Sequence, residues 1–204
     1  MSLTIIEAPV ATKLTTRDVV KGELGLTGSG QDDYLDRLID QASAAITSWC
    51  SRVFAAETVR ETFHAGFLPR EAFVLSRWPV IDLLSIEIAG QAQPLAETEQ
   101  EAGGLLYRVD AGGNRACWPA GRTVIIYRAG YVLPGEDERT LPPDIERATL
   151  LTVRAAWHAA GRDPLLRSET IEGVGSSAYF GAGASGLSAE VEGLLTPYRV
   201  VGVA

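Results

Sequence analysis

Residues 31–53, QDDYLDRLIDQASAAITSWCSRV, carry the clearest pattern in the chain. Leu35, Leu38, Ile39, Ala42, Ala45, Ile46, Trp49 and Val53 recur every third or fourth residue, with Asp36, Arg37, Asp40 and Ser43 or Thr47 off that stripe. Such spacing gives a helix one apolar face. Asp32 and Asp33 follow Ser29 or Gly30 and stand where carboxylates meet the positive end of the helix dipole. The stretch from Asp32 to Val53 is therefore expected to be a long amphipathic helix that packs on a core.

Upstream, Thr16 to Leu24 reads as a short helix, with Thr15 as its N-cap, Asp18 in its first turn and Gly25 as its stop. Downstream, residues 57 to 130 change character: β-branched and aromatic residues alternate between turn signals. Strands are expected at Thr58 to His64, Ala72 to Leu75, Leu83 to Ile88, Leu105 to Val109 and Thr123 to Arg128. Gly112-Gly113-Asn114 is read as the turn linking the last two. Gln91 to Gly104, with Glu97, Glu99 and Glu101, reads as a solvated loop.

A second long helix opens at Leu141-Pro142-Pro143-Asp144, where a proline lacks an N–H that would have no partner anyway, and is expected to run to Gly161. Ala148, Leu150, Leu151, Val153, Ala155, Ala156, Trp157, Ala159 and Ala160 occupy nearly all its faces, more than one small core covers, so a neighbouring subunit is expected against one of them. Arg162 to Gly186 is too apolar for a plain linker and too rich in glycine for a stable element. It reads as an arm that orders on contact. The end, LSAEVEGLLTPYRVVGVA, offers Ser188 as a cap, Glu190 in the first turn, Leu194 and Leu195 as an apolar face, and Pro197 as a stop.

The expected fold class is mainly α with a small β portion (α+β): a helical-bundle core over residues 1–161 with a β-rich insertion at about 57–130, and an extended C-terminal arm over 162–204. The 204 residues suffice for one substantial core. With 46% hydrophobic and 22% charged residues, global disorder is excluded. A net charge of −8 argues against wrapping nucleic acid, which needs clustered lysine and arginine. A negative wall instead repels a duplex and lets it slide past. Only Lys13 and Lys21 among the 18 basic residues are lysines, a bias that suggests a GC-rich genome. Cys50 and Cys117 lack the spacing of a disulfide framework or a thiolate metal site, which fits a reducing cytoplasm. The first residues, MSLTIIEAPVATKL, lack a basic-then-apolar leader, and no run of eighteen apolar residues occurs, so neither export by that route nor a membrane span is expected.

Catalytic chemistry finds little to stand on. His64 and His158 are the candidate general bases for a rival reading, a small cytoplasmic hydrolase or transferase, but neither has a second ligand type at helical spacing. A composite zinc site from Cys50, Cys117, His64 and His158 has no local spacing behind it. Gly173-Val174-Gly175-Ser176-Ser177-Ala178 matches G-x-G-x-x-A, yet Tyr179-Phe180-Gly181 follows where a dinucleotide site needs a helix start. Asp32-Asp33 and Glu136-Asp137-Glu138 are explained by a helix start and a solvated loop. A ligand module built on Trp49, Trp78, Trp118 and Trp157 is a third reading, although Trp49 and Trp157 fall on apolar helix faces. No catalytic, cofactor or metal site is expected.

In order, LTTRDVVKGELGL, QDDYLDRLIDQASAAITSWCSRVF, RWPVIDLLSIEI, TVIIYRAGY, LPPDIERATLLTVRAAWHAAGRD and LSAEVEGLLTPYRV resemble the head-tail connector (adaptor) family of HK97-like tailed phages and gene transfer agents. The resemblance implies a structural, non-enzymatic subunit of a dodecameric ring between the portal and a tail-side neck or stopper protein. Such a ring extends a channel through which DNA passes without sequence-specific binding. It implies a place in the neck of a virion or virus-like particle, after a stage in the bacterial cytoplasm. Carried over by position, Leu187, Val191, Leu194, Leu195, Tyr198, Arg199, Val200 and Val201 would meet the portal. Leu150, Trp157, Ile171, Val174, Tyr179 and Phe180 would lie between subunits. The Thr170 to Gly183 segment would change order on assembly, and Leu187 to Ala204 would be removable with the core left folded.

Overall fold

The computed structural model describes residues 1–64, 68–160, 168–171, 175–178 and 186–200, with the backbone alone for 168–171 and 175–178. Among the described residues helix and strand take comparable shares, which overturns the expected helical bundle with a small β portion. The reason lies in residues 57–130. Their strands do not decorate a helical core but enclose one of their own.

The chain divides into two compact units, one of residues 1–11 and 53–132, the other of residues 12–52 and 133–204. The first holds strands β1 (Ser2–Glu7), β2 (Glu57–Phe63), β3 (Ala72–Val74), β4 (Val80–Ile88), β5 (Gln91–Ala92), β6 (Thr98–Glu101), β7 (Leu105–Val109), β8 (Arg115–Ala116) and β9 (Thr123–Ala129). One antiparallel sheet runs β1-β2-β9-β4-β5, and a second runs β3-β7-β6 with β8 on β7. Val59, Phe63, Ile86, Ile88, Ile125 and Tyr127 from the first sheet share a core with Phe73, Leu75, Leu106 and Trp118. The Phe63, Phe73 and Trp118 rings meet at centroid distances of 4.7 and 5.5 Å, in the tilted geometry aromatic pairs favour.

Two strand readings need correction. Gln91 to Gly104 is not a loop: it contains β5, a 3-10 turn at Leu95–Glu97, and β6 paired with β7 from Thr98↔Arg108 to Glu101↔Leu105. Arg115 holds Glu99 at 3.0 Å and also pairs with Glu101, while its guanidinium lies 3.7 Å above the Tyr107 ring. Glu99 and Glu101 thus share one face of a strand that is exposed on both sides, and the Arg115 hydrogen bonds hold the Glu99 carboxyl below its ordinary range. Gly112-Gly113-Asn114 turns β7 into β8 rather than into β9. Asp110 shapes that turn by accepting from the N–H groups of Gly112 and Asn114 at 2.8 and 2.9 Å.

Within this core lies a polar network. Glu61, fully buried on β2, accepts hydrogen bonds from Ser76 N–H (3.0 Å), Ser76 Oγ–H (2.6 Å) and Tyr127 Oη–H (2.6 Å). Arg77 N–H donates to Tyr127 Oη at 3.2 Å, and Arg77 Nε donates to buried Glu57 at 2.6 Å. The network ties the β3–β4 connection to the face of the five-stranded sheet. Burial, and then the Glu61 carboxylate, push the Tyr127 phenol far above its ordinary 10.0. Stability from a raised phenol is present below about pH 10 and is lost as pH climbs from there toward the folded value, because the unfolded chain releases the proton first. Alkaline titration by phenolate absorbance should therefore show one of the six tyrosines ionising only as this unit unfolds. Six tyrosines ionising together in a folded chain would contradict this.

The second unit holds helices α1 (Arg17–Leu24), α2 (Asp32–Cys50), α3 (Pro143–Ala159) and α4 (Ala189–Leu195), and a hairpin of β10 (Ser168–Ile171) and β11 (Gly175–Ala178). Val20, Leu35, Leu38, Ile39, Ala42 and Val153 form a buried cluster of this unit, with Leu150, Ala156 and Trp157 packed against it. Thr16, not Thr15, caps α1 by accepting from Val19 N–H; Thr15 Oγ1 instead donates to Glu146 at 3.1 Å. Gly25 ends α1 in the left-handed conformation at φ 65°. α2 stops three residues before Val53 because Ser51 turns left-handed, with Arg52 N–H bonded to Thr47 O.

Candidate functional site

The C-terminal residues expected to meet a partner fall into two sets. Ser188 caps α4 by accepting from Val191 N–H at 3.3 Å, and α4 packs on α3. Leu187, Val191 and Leu195 are 3%, 2% and 0% exposed, so they are core residues of their own unit. Removing residues 187 to 204 takes three buried side chains with it, contrary to the expectation that the core survives.

The remaining members lie further out. Leu194 and Tyr198 are half-buried, and Arg199 and Val200 are exposed. Tyr198 Oη donates to Asp144 Oδ2 at 3.4 Å, the Arg199 guanidinium stands 4.9 Å from the centre of the Trp49 ring, and Val200 N–H donates to Cys50 O at 2.9 Å. Sequence reasoning missed this seat at the end of α2, although Trp49 so near the helix end was a signal. Val201 lies outside the described residues.

Of the residues expected between subunits, Leu150 and Trp157 are half-buried on α3, and the Trp157 ring is 5.6 Å from that of Tyr34. α3 is not covered on every side: Ile145, Glu146, Ala148, Thr149 and Val153 are buried, while Arg147, Arg154, Ala155, His158 and Ala159 are exposed. Ile171 belongs to β10, whose backbone pairs with β11 from Ser168↔Ala178 to Ile171↔Gly175. Val174, Tyr179 and Phe180 lie outside the described residues, as does most of the Gly-rich segment. Gly175–Ala178 is a strand of that hairpin, not the start of a helix over a phosphate.

The candidates for chemistry divide between the two units. His64 belongs to the first unit and His158 to the second, both exposed. Cys117 is exposed, while Cys50 is buried with its thiol pushed up to about 11, chiefly by burial, which keeps it protonated and a poor nucleophile at neutral pH. Among the described residues no group of three His, Cys, Asp or Glu side chains is placed to hold a metal ion. Trp118 sits in the sheet core and donates to Leu106 O at 3.2 Å; Trp49 and Trp157 lie on the helices. Among the described residues no helix is long and apolar enough to cross a membrane.

No protein-family profile matches the chain, and no curated protein matches it. Solved structures do. A chain in the neck of an empty gene transfer agent particle, computed with C6 symmetry, aligns with a TM-score of 0.56 at 21% identity. A chain of the native gene transfer agent virion aligns at 0.56 and 19%, and one from the native neck computed with C12 symmetry at 0.56 and 18%. Each alignment covers 100% of this chain and 98% of the other. At these identities the likeness is one of fold, and it spans both units.

Proposed function

We propose that the chain is a structural, non-enzymatic subunit of the neck of a gene transfer agent or tailed-phage particle, assembled as a ring. The observation that carries this reading is the end-to-end fold likeness to neck chains, with almost nothing left over on either side. Twelve copies around the axis, between a portal and a tail-side neck protein, would extend the channel for DNA. The charge of −8 suits a wall past which a polyanion slides. A head-to-tail ring uses two different patches of each chain and closes on itself. For the lateral contacts we assign the α3 side bearing Leu150 and Trp157, with Ile171, Val174, Tyr179 and Phe180.

For the portal contact we assign Leu194, Tyr198, Arg199, Val200 and Val201, and leave Leu187, Val191 and Leu195 to shape the helix that presents them. The test is to mix the protein with a portal ring and image the product. A protein that stays monomeric and joins no ring, with or without portal, would sink the proposal. Removing Arg199 to Ala204 should keep the chain folded yet weaken docking by at least about tenfold, the scale of losing an arginine anchor at an interface. Docking at full strength by that truncation would refute the assignment of the tail.

A further inference from the structure

Both lysines of the chain lie in one ladder. Lys13, just before α1, and Arg17 and Lys21 on it, four residues apart, face Asp32, Asp36 and Asp40 of α2, also four residues apart. Lys13 Nζ lies 3.2 Å from Asp36 and 3.6 Å from Asp40, Arg17 lies 3.0 Å from Asp32 and also pairs with Asp36, and Lys21 pairs with Asp32. On its other flank α1 carries Glu23, which meets Arg147 at 3.1 Å and Arg154 at 3.4 Å on α3. Asp18, Asp33 and Arg37, the other charged groups on these two helices, stand exposed.

Apolar contact contributes less along α1 than along α2, with Leu14 buried just before α1. Val20 is the single fully buried residue of α1, supported by half-buried Leu24 and Leu26, whereas α2 buries seven residues along one face. A helix of eight residues has little stability of its own. Partly exposed pairs in water are screened by salt, while buried aliphatic contacts are not.

We propose that α1 is an ion-paired clasp, held over the α2–α3 cluster mainly by charge, which opens as a local unit when ionic strength rises while α2 and α3 stay folded. Opening would expose the sides of Leu35, Leu38, Ile39 and Val153 that α1 covers. Acid acts on the same ladder. The hydrogen bond from Lys21 holds the Asp32 carboxyl below its ordinary 3.8, and that from Arg17 does so for Asp36. For carboxyls depressed in the folded state, the stabilisation is present above about pH 4 and is lost as pH falls through the folded values. At neutral pH salt is therefore the lever.

The test is amide hydrogen exchange of the full chain at pH 7 in sodium chloride from about 0.05 to about 1 M, over which the screening length falls to about 3 Å. Exchange at Val20 to Leu24 should speed up about tenfold relative to Leu150 to Trp157 of α3 in the same sample. Asp36→Asn should speed it at low salt and flatten the salt response. Exchange in α1 that ignores salt, or that changes only in step with α3, would overturn the proposal without touching the assembly reading.

Discussion

Replacing Gly130 with alanine is expected to cost the sheet-rich unit roughly 3 kcal/mol or more, a large share of the about 5–15 kcal/mol that holds a typical domain folded. Gly130 follows β9 at φ 119°, a backbone region closed to side chains. A Cβ there would lie 2.5 Å from Ala55 O and 2.8 Å from both Ala55 C and Ala56 Cα. These are backbone atoms, and they cannot swing aside. Gly130 N–H donates to Pro79 O at 2.9 Å, Tyr131 N–H to Phe54 O at 2.7 Å and Ala56 N–H to Tyr131 O at 3.0 Å. Relief of the clash would break that set. Urea unfolding followed by near-ultraviolet circular dichroism measures the loss, and a Gly130→Ala chain within about 1 kcal/mol of the parent would contradict the packing described.

Glu61→Ala is the second large effect, expected at about 3 kcal/mol, because it strands the buried Tyr127 hydroxyl and leaves two part-buried Ser76 donors without their acceptor. Three hydrogen bonds end on this carboxylate, and Tyr127 loses the acceptor for its hydroxyl. Glu61→Gln is the sharper probe. Oε1 of Glu61 faces the Ser76 hydroxyl, which can turn to accept from an amide NH2, while the amide oxygen keeps Ser76 N–H and Tyr127 Oη–H, so the substitution removes the charge and spares the bonds. About 1 kcal/mol should be lost, less than for alanine, because charge-assisted bonds become neutral ones. A glutamine variant as unstable as the alanine one, judged by denaturant midpoint at unchanged slope, would contradict this arrangement of donors.

Where the amino-acid pattern had a single physical reading, it gave the fold. The stripe from Leu35 to Ile46 and the double proline before Asp144 each marked one helix to within a few residues. The strands at Leu105–Val109 and Thr123–Ala129 alternated clearly enough to be placed. β6 was missed because its alternation is written in glutamates, and a charged strand face looks like a solvated loop until Arg115 is found opposite. β1 was missed because its partner, β2, lies some fifty to sixty residues away, with Ser2 opposite Thr62 and Glu7 opposite Thr58. Thr15 and Thr16 are equal as caps in a sequence. Only the carboxyl of Glu146, 131 positions on, decides between them.

The candidate site was less legible, for a different reason. An apolar helix such as LSAEVEGLL reads the same whether its face meets a partner or its own chain, and here Leu187, Val191 and Leu195 are buried within their own unit. The seat of Arg199 on Trp49 needed the end of one helix and the end of the chain to be brought together, which no local pattern encodes.

The interleaving of the two units bears on how the chain is made. The first unit is interrupted by residues 12–52, and the second by residues 53–132. During synthesis α1 and α2 leave the ribosome long before α3, so Leu35, Ile39 and Val20 wait through more than a hundred residues for Val153 to cover them. Closing so long a loop costs only slightly more than closing a short one, but contacts this distant in sequence form slowly. Yield in the cell should thus depend on what shields a half-made helical pair during translation. No contiguous fragment ending near residue 132 contains a finished version of the helical unit.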